Sequence, residues 1–187
     1  IIDANKIDFV FTVSDSDKFY VEKINIFGNF NTIEEVIRNN FIVDEGDPFN
    51  EILFNKSINN IKSLGIFKKV ESNVNEGSTP NTRIVNISVE EKPTGEISLG
   101  AGVGTSGSVI GGGIKEKNFL GKGVTLKADL EISEESIKGA LTYAKPYFNY
   151  TDNTLFTTIK STNEDNLTAS GYKISTAGFS LGTEFEQ

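Results

Sequence analysis

Between Lys92 and Gly104 the pattern of hydrophobic and polar positions changes character. Ile97, Leu99, Ala101 and Val103 fall on one side of an alternating segment, and Glu96, Ser98, Gly100, Gly102 and Gly104 on the other. A period of two is that of a β-strand. One apolar face opposite a nearly bare one suits the wall of a β-barrel. Six strand-like segments follow, at about 95–104, 108–117, 123–132, 137–145, 154–162 and 171–185. The third alternates most cleanly, with Val124, Leu126, Ala128, Leu130 and Ile132 against Thr125, Lys127, Asp129 and Glu131. The fifth is ambiguous in phase, and in the sixth Tyr172 and Ile174 run against Ala177, Phe179 and Leu181. Short connections predict an antiparallel up-and-down meander, with the turns near 118–122 and 146–152 at one end. Six strands do not make a closed outer-membrane barrel, so the meander reads as part of a wall.

Residues 18–92 carry a different pattern. Phe19 to Phe27 is a strand stopped by Gly28-Asn29. Thr32-Ile33-Glu34-Glu35 has capping-box spacing, with Thr32 as N-cap and Glu35 at the third helical position. Ile33, Val36, Ile37 and Phe41 follow at helical spacing. After the break Asp44-Glu45-Gly46-Asp47-Pro48, a second helix is predicted from about Asn50 to Leu64. Phe54, Ile58 and Ile61 lie on one of its faces, and Gly65 ends it. Phe67 to Val74 and Arg83 to Glu91 complete a β-α-α-β-β unit of the α+β class. Before it, residues 1–17 hold a single strand, with Ile7, Phe9, Phe11 and Val13 alternating. That strand reads as the last of a preceding domain or as an addition to the next one. Its likeness to Ile84–Val89 suggests tandem copies of one module.

Composition narrows the chemistry. The 187 residues include no His and no Cys, which removes Ser-His-Asp and Cys-His catalysis and the usual zinc sites. A net charge of −8 opposes nucleic-acid binding. There is no Met, and the sequence begins at Ile1, as a fragment of a longer protein would. The apolar runs are too short for a spanning helix, whereas a spanning strand needs only about 9–11 residues. Acidic pairs such as Glu134-Glu135 and Glu164-Asp165 fall in predicted loops and read as solvated charge. Gly111-Gly112-Gly113 is not a phosphate loop, because no Gly-Lys-Ser/Thr follows. No enzyme, cofactor or metal site is expected.

Several motifs, in order, resemble the BamA family of outer-membrane β-barrel assembly factors. Tyr20–Asn29, Asp44-Glu45-Gly46, Leu64–Val70 and Val89-Glu90-Glu91 resemble its last POTRA domain. Thr94–Gly100, Asn118-Phe119-Leu120-Gly121-Lys122-Gly123 and Pro146-Tyr147-Phe148 resemble the opening of its barrel. The resemblance implies three parts: 1–17 as the last strand of a preceding POTRA domain, 18–92 as a POTRA domain, and 93–187 as the N-terminal part of a transmembrane β-barrel. It also implies an outer-membrane location with the POTRA domain in the periplasm. The implied partners are unfolded outer-membrane proteins, assembly-machine lipoproteins and outer-membrane lipids. Several members carry an acidic residue two places after the Arg of the first helix, in contact with a lipoprotein. Here Arg38 is followed by Asn39-Asn40, a departure from that pattern.

The resemblance makes the strand carrying Ile97, Ser98, Leu99, Gly100, Ala101, Gly102 and Val103 a candidate gate that pairs with client strands. Strand edges are templates for pairing, and glycines pin register poorly. The plainer alternative is that these glycines make room for neighbouring side chains. Two POTRA strands are further candidate edges, Phe19–Phe27 with Val21, Lys23, Ile24 and Ile26, and Phe67–Val74, the alternative being a rigid spacer. Phe119, Tyr147, Phe148 and Tyr150 are candidate interfacial aromatics. Two other functions fit the same pattern: a related superfamily transporter (translocation-and-assembly or two-partner secretion), or a soluble β-rich binding or adhesion module.

Overall fold

The computed structural model describes residues 17–104, 107–151 and 153–185. The strand expected within 1–17 lies outside them, apart from Asp17. The chain builds two sheets. The first has three strands in the order β1-β3-β2, where β1 is Tyr20–Phe27, β2 Phe67–Glu76 and β3 Thr82–Glu91. β1 runs parallel to β3, and β2 antiparallel. Helices α1 (Glu34–Arg38) and α2 (Glu51–Ser63) lie between β1 and β2 in the chain.

The core follows from the apolar spacing. Phe54, Ile58 and Ile61 of α2 pack with Ile37 of α1 and with Val21, Ile24, Val85, Ile87 and Val89 of the sheet. Asn50 caps α2, its side chain accepting from the N–H groups of Ile52 and Leu53 at 2.9 and 3.1 Å. Gly65 follows the helix at φ +66°, a conformation that costs glycine little.

The capping box at α1 does not form. The helix begins at Glu34, its N-cap is Ile33, and no side chain caps it. The Thr32 hydroxyl is buried and accepts instead from the Asn118 amide of the second sheet, at 2.8 Å. A partner 86 residues away displaces the local cap that the spacing predicted.

The second sheet is a six-strand meander in sequence order. Its strands are β4 (Gly95–Gly104), β5 (Gly107–Phe119), β6 (Val124–Ser133), β7 (Ser136–Lys145), β8 (Asn153–Asn166) and β9 (Tyr172–Phe185), with a short helix α3 (Leu167–Ser170) between the last two. The pairing brings one apolar row across all six strands: Ile97, Ile114, Ala128, Leu141, Ile159 and Phe179. Pairing also resolves the phase of β8, placing Ile159 on the apolar face and Thr158 opposite, where its hydroxyl meets that of Thr142 at 3.1 Å. Tyr172 and Ile174 lie in the other phase, paired with Asn166 and Glu164 beyond the apolar rows.

From Leu126 to Ile132 the apolar rows extend ~20 Å at about 3.4 Å per residue, close to the roughly 25 Å band of outer-membrane barrels. Large apolar residues on this face stay exposed, Ile97 at 81%, Ile159 at 55% and Phe179 at 68%. Water would penalise such a face, and lipid would not. No helix among the described residues is long and apolar enough to cross a membrane.

Candidate functional site

β4 is an edge. It pairs with β5 over ten residue pairs without a bulge, and no strand among the described residues pairs with its other side. All ten of its residues are exposed. Ile97, Leu99, Ala101 and Val103 carry the apolar face, and Ser98, Gly100 and Gly102 the other, as the alternation predicts.

The β4–β5 seam has few side chains to hold it. Six of its ten pairs contain a glycine, against one of eight between β6 and β7. Each interior glycine weakens a strand by about 0.5–1 kcal/mol relative to alanine. Across the seam, Lys117 reaches Glu96 at 2.6 Å, and the Ser98 hydroxyl donates weakly to the Gly113 carbonyl at 3.4 Å.

The two groups of glycines differ. On β5, a Cβ at Gly112 would lie 2.9 Å from Leu99 Cδ2, and one at Gly113 2.7 Å from Asp129 Oδ1, so these two make room for neighbours. At Gly100, Gly102 and Gly104 a Cβ would meet nothing within 4 Å among the described residues. Among the described residues, no neighbour requires glycine at these three positions.

One of the other candidate edges needs a correction. β1 is an edge strand, but the outward backbone groups of Val21 and Ile24 are engaged. Val21 N–H donates to Asp47 O at 2.9 Å, and its carbonyl accepts from Gly46 N at 2.7 Å. Ile24 N–H donates to Glu45 Oε1, and its carbonyl accepts from Arg38 Nη2, both at 2.9 Å. An accepting edge over Val21, Lys23, Ile24 and Ile26 is therefore blocked at Val21 and Ile24 by the 44–47 turn and by Arg38 of α1. β2 is the freer edge, and among the described residues no hydrogen bond from another element reaches its outer side. It bears Lys68 and Lys69, a common guard of exposed edges.

Arg38 also pairs with Glu34 at 2.6 Å and Glu45 at 3.5 Å. Asn40, two places on, is 2% exposed, with its amide N–H on Val36 O at 2.8 Å. It is not displayed to a partner.

The sheets meet at a built junction. Ile33 N–H donates to Gly121 O at 2.9 Å. Glu91 receives the N–H of Thr32 at 2.7 Å, the N–H of Asn31 at 3.0 Å and the Asn31 amide at 2.8 Å. Asn118 holds Thr32 with its amide N–H and accepts from Gly123 N–H with its oxygen, both at 2.8 Å. The motif Asn118–Gly123 is thus a docking turn, and the turn at 146–151 lies at the same end. Tyr147 and Phe148 line a cavity of about 560 Å³ with Ile33 and Val36. Phe119 is half-buried at the end of β5, and the side chain of Tyr150 lies outside the described residues.

Partial burial of Glu91 opposes its ionisation, but the hydrogen bonds from Thr32 and Asn31 outweigh it and hold the carboxyl below its usual range. A carboxyl lowered in the folded state contributes stability at neutral pH that is lost as pH falls through the lowered value. The Asn31 and Thr32 amides should therefore lose exchange protection as pH drops below the ordinary carboxylate range. Glu91→Gln should show that loss already at neutral pH and little further change in acid. Equal protection at both pH values would show that Glu91 is not the clamp.

Comparison with known proteins agrees with this geometry. Residues 19–92 match the family model described as "Surface antigen variable number repeat", or POTRA, and residues 118–187 match the Omp85 superfamily domain. The chain is 30% identical over 148 residues to the outer membrane protein assembly factor BamA of Neisseria meningitidis, covering 78% of this chain and 19% of that protein. A putative outer membrane protein assembly factor of Treponema pallidum is also 30% identical, over 76% of this chain and 18% of its own length. The chain thus spans about a fifth of the curated relatives it matches. Among solved structures, BamA from Haemophilus ducreyi lacking POTRA domains 1–3 superposes with a TM-score of 0.79 at 27% identity, over 88% of this chain and 32% of that one. CdiB from Acinetobacter baumannii shares the fold, with a TM-score of 0.57 at 14% identity over 89% of this chain and 33% of that one. These matches set aside a soluble adhesion module and place the meander in the outer membrane, with the α+β domain on the periplasmic side. The chain is thus a homologue of the BamA assembly factors over 78% of its length, with matches to the POTRA and Omp85 superfamily domains.

Proposed function

We propose that the protein carrying this chain folds and inserts β-barrel proteins into the outer membrane, and that β4 is the strand to which a client pairs. The observation that carries this is the glycine-rich seam between β4 and β5, in which six of ten residue pairs contain a glycine. No covalent step is needed. The unpaired N–H and C=O groups of an edge offer a client strand its hydrogen bonds, while the apolar face lets its side chains enter lipid. The clients are unfolded outer-membrane proteins. Lipids cover the apolar face, and assembly lipoproteins bind the POTRA side. β2, guarded by Lys68 and Lys69 but with its outer side unfilled among the described residues, is a second pairing edge.

A photocrosslinker placed in turn at Ile97, Leu99, Ala101 and Val103 of the full-length protein tests the gate during client assembly. Crosslinks should reach a client's terminal strand and step along it in register, two residues for every two on β4. A crosslinker at Leu130, within β6, should give none. Absent or unordered client contacts at β4, or equal capture at Leu130, would make β4 ordinary wall.

A further inference from the structure

The apolar face of the meander is bare along its rows but covered at its periplasmic end. Val124 is 3% exposed, against 50% for Leu130 on the same strand and face. The POTRA domain reaches this end. Ile33 N–H bonds Gly121 O, and Val36 Cγ1 lies 2.8 Å from where a Cβ on Gly123 would stand. The two parts do not close completely. The cavity of about 560 Å³ left between them takes Ile33, Glu35 and Val36 from the POTRA domain and Lys122, Tyr143 and Lys145 from the sheet.

Lys145 stands on the apolar face. It pairs with Leu155 and follows Tyr143 by two residues, and Tyr143 opposes Leu126. A lysine on a lipid-facing wall is costly at mid-depth and tolerated at the interface. At roughly 3.4 Å per residue, Lys145 lies about 7 Å beyond the Tyr143 row, and the polar layer of a leaflet is about 5–8 Å deep. Lys122 reaches the same cavity from the docking turn. Among the described residues no carboxylate lies within ion-pairing distance of either ammonium, although acidic residues outnumber basic ones by 26 to 18. Glu35, on the α1 side, is the carboxylate that lines the cavity. Two ammonium groups and one carboxylate leave one positive charge, a match for the single negative charge of a phosphodiester.

We propose that this cavity seats the headgroup of one periplasmic-leaflet glycerophospholipid, its phosphodiester held by Lys122 and Lys145 and its chains running up the apolar face past Tyr143. Lysine serves a phosphate as a point charge on a flexible stem, and tyrosine suits the boundary between chains and headgroups. The occupant is a lipid and not a soluble phosphodiester because Tyr143 and Val124 carry the apolar face into the cavity wall, and Ile33 and Val36 continue it. The proposal rests on the apolar face lying in lipid and not on client pairing at β4.

Photoreactive lipids test it in full-length protein reconstituted into phosphatidylethanolamine–phosphatidylglycerol vesicles. A trace phospholipid carries a diazirine either in its headgroup or at the end of one chain, and labelled peptides are mapped. The headgroup probe should mark residues 33–39 and 122–124, and the chain probe the apolar rows at Leu141 and Ile159. Lys122→Gln with Lys145→Gln should cut headgroup labelling of 33–39 several-fold, and the two Arg replacements should keep it. Lys68→Gln with Lys69→Gln, which removes the same charge from β2, should leave it unchanged. Glycerophosphoethanolamine, a phosphodiester without chains, should not compete. If the chain probe marks the rows while the headgroup probe spares 33–39, the site is wrong and the membrane assignment stands. If the chain probe spares the rows as well, that assignment falls. Undiminished labelling in the Lys122–Lys145 Gln variant, an equal loss in the β2 variant, or displacement by the soluble phosphodiester would each overturn the proposal.

Discussion

Phe54→Ala should destabilise the POTRA domain by about 3–5 kcal/mol. Phe54 is 6% exposed and packs its ring 5.8 Å from that of Phe49, between α2 and the three-stranded sheet. Every residue of that core cluster lies between Val21 and Val89, so the domain's core closes without help from the second sheet. A segment of residues 18–92 should accordingly unfold in one cooperative transition in denaturant, and the substitution should move its midpoint with little change of slope. Ile52→Ala is the control on the same helix. Ile52 is 80% exposed, and its truncation should fall within about 0.5 kcal/mol of wild type. Similar shifts for the two variants would mean that α2 does not bury the face its spacing assigns to the core.

How far the sequence is legible depends on how local the deciding interaction is. α2 is legible because its signals are local: Asn50 before it, Phe54, Ile58 and Ile61 on one face, Gly65 after it. The six wall strands are legible because alternation is local too, and the structure moves their ends by only a few residues. Thr32 fails as a cap because its hydroxyl answers to Asn118, which no window around residue 32 contains. The closed edge of β1 was hidden for a similar reason, since Glu45 and Arg38 fold back onto Ile24 from outside the strand. The glycines of β4 and β5 look alike in sequence, and only their neighbours across the sheet separate those that admit a side chain from those that do not. One signal for the junction was present. Gly121 and Gly123, two glycines in a three-residue stretch of a strand connection, mark either a turn with positive φ or a close approach, and here they mark both.

That double role makes Gly121→Ala the sharpest perturbation of the junction. Gly121 sits at φ +71°, and a Cβ there would stand 1.9 Å from the Asn31 carbonyl oxygen, a backbone atom that cannot turn aside. The left-handed conformation alone costs a non-glycine residue about 1–3 kcal/mol. Relieving the clash requires the turn to move off the POTRA domain. Movement breaks the bond from Ile33 N–H to Gly121 O and strains that from Asn118 to Thr32, each worth roughly 0.5–1.5 kcal/mol. Gly171→Ala separates the two contributions: Gly171 has φ +73°, and a Cβ there meets nothing within 4 Å. Both variants bear the conformational cost, but only Gly121→Ala should undock the turn. In hydrogen exchange on the full-length protein, the Ile33 amide should lose protection in Gly121→Ala and keep it in Gly171→Ala. If β4 and the POTRA domain act together on a client, Gly121→Ala should also slow client assembly while leaving the strand content of the barrel unchanged. An Ile33 amide equally protected in both variants would show that the 118–123 turn does not hold the two sheets together. The fixed position of the POTRA domain would then come from the Lys92–Thr94 connection alone.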